Sequence, residues 1–408
     1  MYPLGLILRN MLLYICLSSY TFFWVVSLVN GFTMHMMNNL AKTTITDLLS
    51  FAEITVNGNE PWDLHVHNEQ FYPRVLRDAE LGLGETYMEG WWDCQRIDLL
   101  IERILEANIE SKVKKNTRFA LKLLLAKYFN LQTKKRALQV GLRHYDLGND
   151  LFQLMLDRNM NYTCGYWKNA QDLNQAQLAK LDLVCRKLML KPGMRVLDIG
   201  CGWGALAKYA AENYGVHVVG ITISQQQCEL AKERCKDLPI EIRFQDYRDV
   251  NEPFDRVVSL GMFEHVGYLN YSTYMQVIHN CLIDEGLFLL HTIGGNQSTT
   301  QVNPWTSKYI FPNGMLPSIS QIGRAAEKLF IMEDWHNFGL DYYKTLMSWH
   351  HNFNEGWNKI KDNYDERFFR MWNFYLLSCA GAFKARDIQL WQIVFSKKGL
   401  KERYEAPR

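Results

Sequence analysis

The 408-residue sequence predicts an α/β fold with a mostly parallel sheet, preceded by a small α/β N-terminal domain. Three observations carry that expectation. From about residue 144 to 295, short apolar runs alternate with amphipathic helical patterns, the arrangement that builds a parallel sheet covered by helices on both faces. The first of these runs, Arg195–Ile199, leads into three closely spaced glycines (Gly200, Gly202, Gly204) and then a helical pattern. Such glycines permit a tight turn and let backbone approach a ligand, while the next helix presents its N-terminus. Finally, 48% apolar and 22% charged residues make a globular composition, with chain enough for two or three domains.

Residues 1–34 stand apart. No charged side chain occurs from Asn10 to Met34, and Met11–Phe32 is long enough to cross a bilayer as a helix. Three readings stay open: a membrane anchor, a signal peptide, or an extension that is not made because Met34, Met36 or Met37 starts the chain. The signal reading is weakened by Val29-Asn30-Gly31-Phe32, which offers no small-residue cleavage site. Residues 35–111 alternate short strands and helices and are expected to form a small N-terminal domain. His65 and His67 alternate there as on a surface strand, and read as that rather than as half a metal site.

The segment 112–143 holds Lys112, Lys114, Lys115, Arg118, Lys122, Lys127, Lys134, Lys135, Arg136 and Arg143 with no acid. The whole chain is only +2, so the remainder is net acidic. Together with the apolar "FALKLLLAKYFNL", this reads as a basic amphipathic linker lying on a membrane surface, where each cation contributes about 1 kcal/mol against anionic lipid. A solvated linker helix is the alternative. No base-reading motif accompanies the charge, so nucleic acid is not expected as a partner.

Residues 144–400 read as one larger α/β domain. Its predicted strands are Arg195–Ile199, His217–Ile221, Glu241–Gln245, Arg256–Leu260 and Leu287–Thr292. A Pro-punctuated stretch ("NPWTSKYIFPNGMLPS"), an aromatic-rich helical part and a last strand ("IQLWQIVFSK") follow. The nine cysteines include no C-x-x-C pair, which argues against zinc and disulfides, predicts no metal, and suits a reducing, cytoplasmic setting.

The glycines run G-x-G-x-G, not the G-x-G-x-x-G of dinucleotide sites, and Asp198 lies inside the preceding strand. "VLDIGCGWG" resembles the first motif of the class I methyltransferases that use S-adenosyl-L-methionine (SAM), which implies a Rossmann-like sheet. Asp198, Gly200, Cys201, Gly202 and Gly204 then face the cofactor. At the second strand end Thr222, Ile223, Ser224 and Gln227 stand where such folds usually place a ribose carboxylate. After the third strand, Asp246, Tyr247 and Arg248 are placed to meet the adenine.

Longer stretches are more specific. "HYDLGNDLFQLMLDRNMNYTCGYW", "GITIS", "GMFEHVGYLNY", "LLHTIG", "YIFPNGMLPS", "EDWHNFGLDY" and "CAGAFKARDIQLWQ" resemble the cyclopropane-fatty-acyl-phospholipid synthase family, relatives of the mycolic acid cyclopropane synthases. The resemblance runs from about Ile45 to Lys397. Thr163 replaces the family's usual serine and keeps the hydroxyl, and Tyr162 and Thr163 join the cofactor set. The implied reaction transfers a methylene from SAM to the cis double bond of an unsaturated phospholipid acyl chain, through a carbocation. The implied base is a bound bicarbonate, held by Cys164, Glu264, His291, the backbone of Ile293, and Tyr342. Cys379, in "CAGAF", is a weaker candidate, since the chemistry needs no thiol nucleophile. Aromatic residues from Trp335 to Tyr375 are expected to form core and to line the acyl-chain path. The family implies a peripheral enzyme on the inner membrane face, with a phospholipid bilayer as partner, and allows for a homodimer. The rivals are methyl transfer without ring closure on the same fold, and a catalytically silent SAM-fold protein.

Overall fold

A computed structural model describes residues 38–109 and 148–408; the apolar N-terminal segment and the basic segment 112–143 lie outside them. The described residues divide into two compact units, 38–93 with 107–109, and 94–106 with 148–408.

In the first unit, helix α1 (38–50) buries Ala41, Ile45 and Leu49, one side of a 3.6-residue repeat. A short antiparallel pair, β1 (His65–Val66) and β2 (Trp92–Asp93), encloses helices α2 (Phe71–Asp78) and α3 (Glu80–Met88) in sequence. Trp92 is fully buried and its indole N–H donates to Leu83 O and Thr86 Oγ1, both at 3.1 Å. His67 Nε2 lies 2.9 Å from Asp93 Oδ2, so its partner is a carboxylate across the pair. Among the described residues no group of three or more His, Cys, Asp and Glu could hold a metal.

Helix α4 (Ile97–Glu106) belongs to the second unit and packs on helix α13 (Glu366–Lys384), with Ile97 and Leu100 buried. Gly381 makes the approach close: a side chain there would meet Asp98 O at 2.5 Å. Buried Asp98 accepts two bonds from Arg96 (2.8 and 2.7 Å) and one from Tyr343 at 3.2 Å.

The chain then forms α5 (Asn149–Met155), α6 (Leu173–Lys187), β3 (Arg195–Ile199), α7 (Ala205–Tyr214), β4 (His217–Thr222), α8 (Gln225–Arg234) and β5 (Ile240–Phe244). After these come β6 (Phe254–Leu260), α9 (Tyr271–Cys281), β7 (Leu282–Gly295), α10 (Pro304–Tyr309) and α11 (Ile319–Ala326). The last elements are β8 (Ile331–Asn337), α12 (Asp341–Gly356), α13 and β9 (Ile388–Ser396).

Seven strands form one sheet in the order β5-β4-β3-β6-β7-β9-β8. The first five run parallel and β9 is antiparallel to both neighbours. Strand alternation supplies two cores. Val196, Val218, Val258 and Leu289 pack under α6 and α7, while Leu197, Ile221, Val257 and Leu290 pack under α9 and α11. This is the SAM-methyltransferase α/β fold that the sequence predicts. The strand order reverses between β3 and β6, which opens a crevice at their carboxyl ends. No helix among the described residues is long and apolar enough to cross a membrane.

Candidate active site

The crevice is built by the turns leaving β3, β4, β6 and β7. Gly200 and Gly204 both adopt φ +80°, a left-handed backbone that glycine takes without strain. Gly200 and Cys201 donate their N–H groups to Ile221 O at 2.9 and 3.0 Å, which locks the loop beside β4. Gly220 allows that packing, since a side chain there would meet Cys201 Cβ at 3.0 Å. Above Gly202 (φ +54°) the space for a side chain is open. Asp198 is fully buried on β3, opposite Gly220 of β4 and Val258 of β6. Burial pushes its carboxyl up to about 7, against the pull of Lys180.

At the end of β4, Thr222 Oγ1 donates to Gln227 Oε1 at 2.9 Å, and Ser224 caps α8 through the Gln227 N–H at 3.4 Å. Three of the residues expected at the ribose are thus one hydrogen-bonded group, and Ile223 is exposed beside it. Asp246 spends both carboxylate oxygens on the Arg248 guanidinium (2.8 and 2.7 Å), which holds its pKa below the usual range. Arg248 in turn lies over the Tyr247 ring, 5.7 Å from its centroid.

The residues expected at the reaction centre come from four elements. His291, on β7, has no exposed surface. Its Nδ1 lies 3.3 Å from Gln392 Nε2 on β9, and the amide donates, so the proton sits on His291 Nε2. Burial, reinforced by Lys180 and Lys187, drives its pKa well below the ordinary value and keeps it neutral. Nε2 has no partner among the described residues.

Glu264 sits in the 3-10 turn Phe263–His265 after β6. Its Oε1 accepts the Ile293 N–H at 2.7 Å, and its backbone oxygen accepts the Met315 N–H at 2.8 Å. Ile293 therefore holds Glu264 with the amide expected to face the anion. Burial pushes the Glu264 carboxyl up to about 7, opposed by the Ile293 bond. Glu264 Oε2, like His291 Nε2, is buried with no hydrogen-bond partner among the described residues, though the Thr292 hydroxyl lies near the carboxyl.

Tyr342, near the start of α12, is buried, and burial raises its phenol pKa well above the usual value. The charges of Cys164, Tyr162, Glu264 and Cys379 push the same way. Cys164 is fully buried, with its thiol donating to Gly165 O at 3.1 Å. Cys379 keeps some exposure, yet burial pushes its thiol up to about 12, far from a thiolate at neutral pH.

An aromatic wall surrounds this group. Tyr162 shares a hydroxyl contact with Tyr375 at 2.9 Å, and its ring packs on Phe152 (5.1 Å) and Trp349 (5.2 Å). Tyr342 packs on Trp349 (5.9 Å) and Phe383 (4.5 Å), and Phe338 meets His291 edge-on at 5.8 Å. Of the aromatic residues read from the sequence, Phe338, Trp349, Phe353, Trp372, Phe374 and Tyr375 are buried. Two residues that order the site escaped the sequence reading. Gln392 carries a signal, a polar residue at an inward position of an apolar strand; Lys180 carries none, since its helix looks amphipathic.

Residues 132–393 match the family model described as mycolic acid cyclopropane synthetase. The chain belongs to that family. It is 57% identical over 351 residues to the cyclopropane-fatty-acyl-phospholipid synthase of Escherichia coli K12, covering 86% of this chain and 92% of that one. The cyclopropane synthase MmaA2 of Mycobacterium tuberculosis superposes with TM-score 0.59 at 32% identity, covering 62% of this chain and 96% of that chain. The mycolic acid cyclopropane synthase CmaA1, solved with SAH and CTAB, gives TM-score 0.58 at 32% identity over 63% of this chain and 96% of its own. Coclaurine N-methyltransferase, at 20% identity and TM-score 0.62 over 78% of this chain and all of its own, shares the fold. The chain is a SAM-dependent methyltransferase.

Proposed function

We propose that this enzyme transfers a methylene from SAM to a cis double bond in a phospholipid acyl chain, making a cyclopropane ring. The observation that carries the reading is the pair of buried, unpartnered polar atoms, Glu264 Oε2 and His291 Nε2, inside an aromatic wall. Buried polar atoms are seldom left unpaired, and this pair suits a small oxyanion with both lone pairs and a proton. His291 Nε2–H and Glu264 Oε2 would hold a bicarbonate ion there, and the ion would supply a base for the proton that leaves the added methyl group. Glu264, whose carboxyl is raised to about 7, meets the anion without a full second negative charge.

The rest of the chemistry follows from the lining. The alkene π electrons attack the SAM methyl carbon, the sulfur–carbon bond breaks, and S-adenosylhomocysteine leaves. The positive charge then rests on the acyl chain, where the faces of Tyr162, Tyr342 and Trp349 stabilise it and no strong nucleophile competes. Loss of one proton from the new methyl group closes the ring. A likeness of 57% identity to a phospholipid synthase supports phospholipid as substrate, and the cationic segment 112–143 supports work at an anionic bilayer surface as a peripheral enzyme.

The test uses SAM with a fully deuterated methyl group, vesicles of cis-unsaturated phospholipid, and mass spectrometry of the acyl chains. Ring closure keeps two of the three deuterons and yields a saturated, ring-bearing chain. Retention of all three refutes it and leaves simple methyl transfer.

A further inference from the structure

Lys180 of α6 has no exposed surface, and no described carboxylate lies within ion-pairing distance of it. Its ammonium donates to Asn161 Oδ1 at 2.9 Å and to Thr163 Oγ1 at 3.1 Å. Asn161 is held in turn by Asp157, which accepts its backbone N–H at 2.7 Å and its side-chain amide at 3.0 Å. The ladder Asp157–Asn161–Lys180 thus fixes the segment that carries Tyr162, Thr163 and Cys164. A buried cation costs free energy unless something anionic offsets it. Asp157 and Asp198 offset this one at longer range.

Two hydrogens point onward. An ammonium has three N–H donors, and two are spent here. The Thr163 oxygen accepts from Lys180, which leaves the hydroxyl hydrogen to donate, and no described residue accepts it. Thr163 also stands at the crevice. Its methyl group packs over Gly261, just past β6, where a side chain would meet it at 2.8 Å. SAM has a sulfonium, an ammonium and one anion, its carboxylate. A buried cation repels the first two and attracts the third.

We propose that Lys180 positions the amino-acid end of SAM, its ammonium holding the Thr163 hydroxyl as a donor toward the cofactor carboxylate. The inference rests on Thr163 being a cofactor contact, and it assigns the site its selectivity for a carboxylate. Lys180 acts through Thr163 and is a positioning residue.

The experiment is calorimetric titration of SAM and of decarboxylated SAM into wild type, Lys180→Met, Lys180→Arg and Thr163→Ala. Wild type should prefer SAM by about 100-fold, the range of a charge-assisted pair closed off from water. In Lys180→Met the preference should shrink to about tenfold or less, with decarboxylated SAM binding as well as before or better; Lys180→Arg should retain part of it. Thr163→Ala should lower the same ratio and carries the test if Lys180→Met does not fold. If both ligands weaken equally and the ratio stands, Lys180 only supports the fold and the inference is overturned. If wild type binds neither ligand, the SAM reading of the crevice itself falls.

Discussion

Replacing Glu264 with glutamine should make the folded protein more stable while disabling it. The variant keeps a carbonyl oxygen to accept the Ile293 N–H, now at 2.7 Å from Oε1, and removes the ionisation. In the folded state burial raises the carboxyl from 4.5 to about 7. A raised acid pKa means that the fold binds the proton more tightly than the unfolded chain does. The neutral form's advantage is complete below pH 4.5 and is lost as pH climbs to about 7. At about 1.4 kcal/mol per unit, the wild type should lose about 3 kcal/mol over that window relative to the glutamine variant. Asp198, also raised to about 7, tilts both proteins alike, so only their difference reports Glu264. Urea midpoints followed by tryptophan fluorescence at pH 5, 6, 7 and 8 give that difference. It should grow with pH and level off above about 7. A constant difference across the series would refute the claim that Glu264 holds a disfavoured charge.

His291→Ala should cut turnover by about 100-fold or more, the scale of a lost oriented donor, while SAM binding by calorimetry stays within about twofold. Undiminished turnover would remove His291 from the mechanism. Replacing Lys112, Lys114 and Lys115 with glutamine should weaken binding to anionic vesicles by up to about 100-fold at low salt, and by little at high salt, if each cation contributes about 1 kcal/mol. Equal sedimentation of variant and wild type with such vesicles would assign the segment to a linker.

The parallel half of the sheet was readable because β3, β4 and β6 hold short apolar runs followed by helical patterns, whereas β7, Leu282–Gly295, runs past its predicted Leu287–Thr292 at both ends. The predicted and observed limits of β3 coincide, and those of β4, β5 and β6 differ by a residue or two. β8 was missed because its sequence, IMEDWHN, puts two acids mid-run. Asp334 is tolerated there by Lys187 (3.2 Å) and Arg408 (2.6 Å), partners remote in sequence. The same remoteness hid the neighbours that give the site its chemistry. The histidine was visible within "LFLLHTI", but its tautomer is set by Gln392, 101 residues away. Ile293 was expected to face the anion, and only the fold shows its amide spent on Glu264. Glycine spacing named the loop, whereas the burial of Lys180 depends on how α6 lies on the sheet.

The last strand enters the sheet between β7 and β8, not at an edge. During synthesis, β7 and β8 are complete while the strand that joins them has yet to leave the ribosome. Until then β7 presents an unpaired flank, the kind of surface that invites pairing with another chain. His291 meanwhile lacks the amide that selects its tautomer, because Gln392 arrives with β9. A nascent chain can thus fold its glycine loop and helices early, yet it cannot orient its histidine until the final strand slots in. Insertion of one strand completes the sheet and arms the site in the same event, so truncated chains carry an exposed sheet flank and an unoriented histidine together.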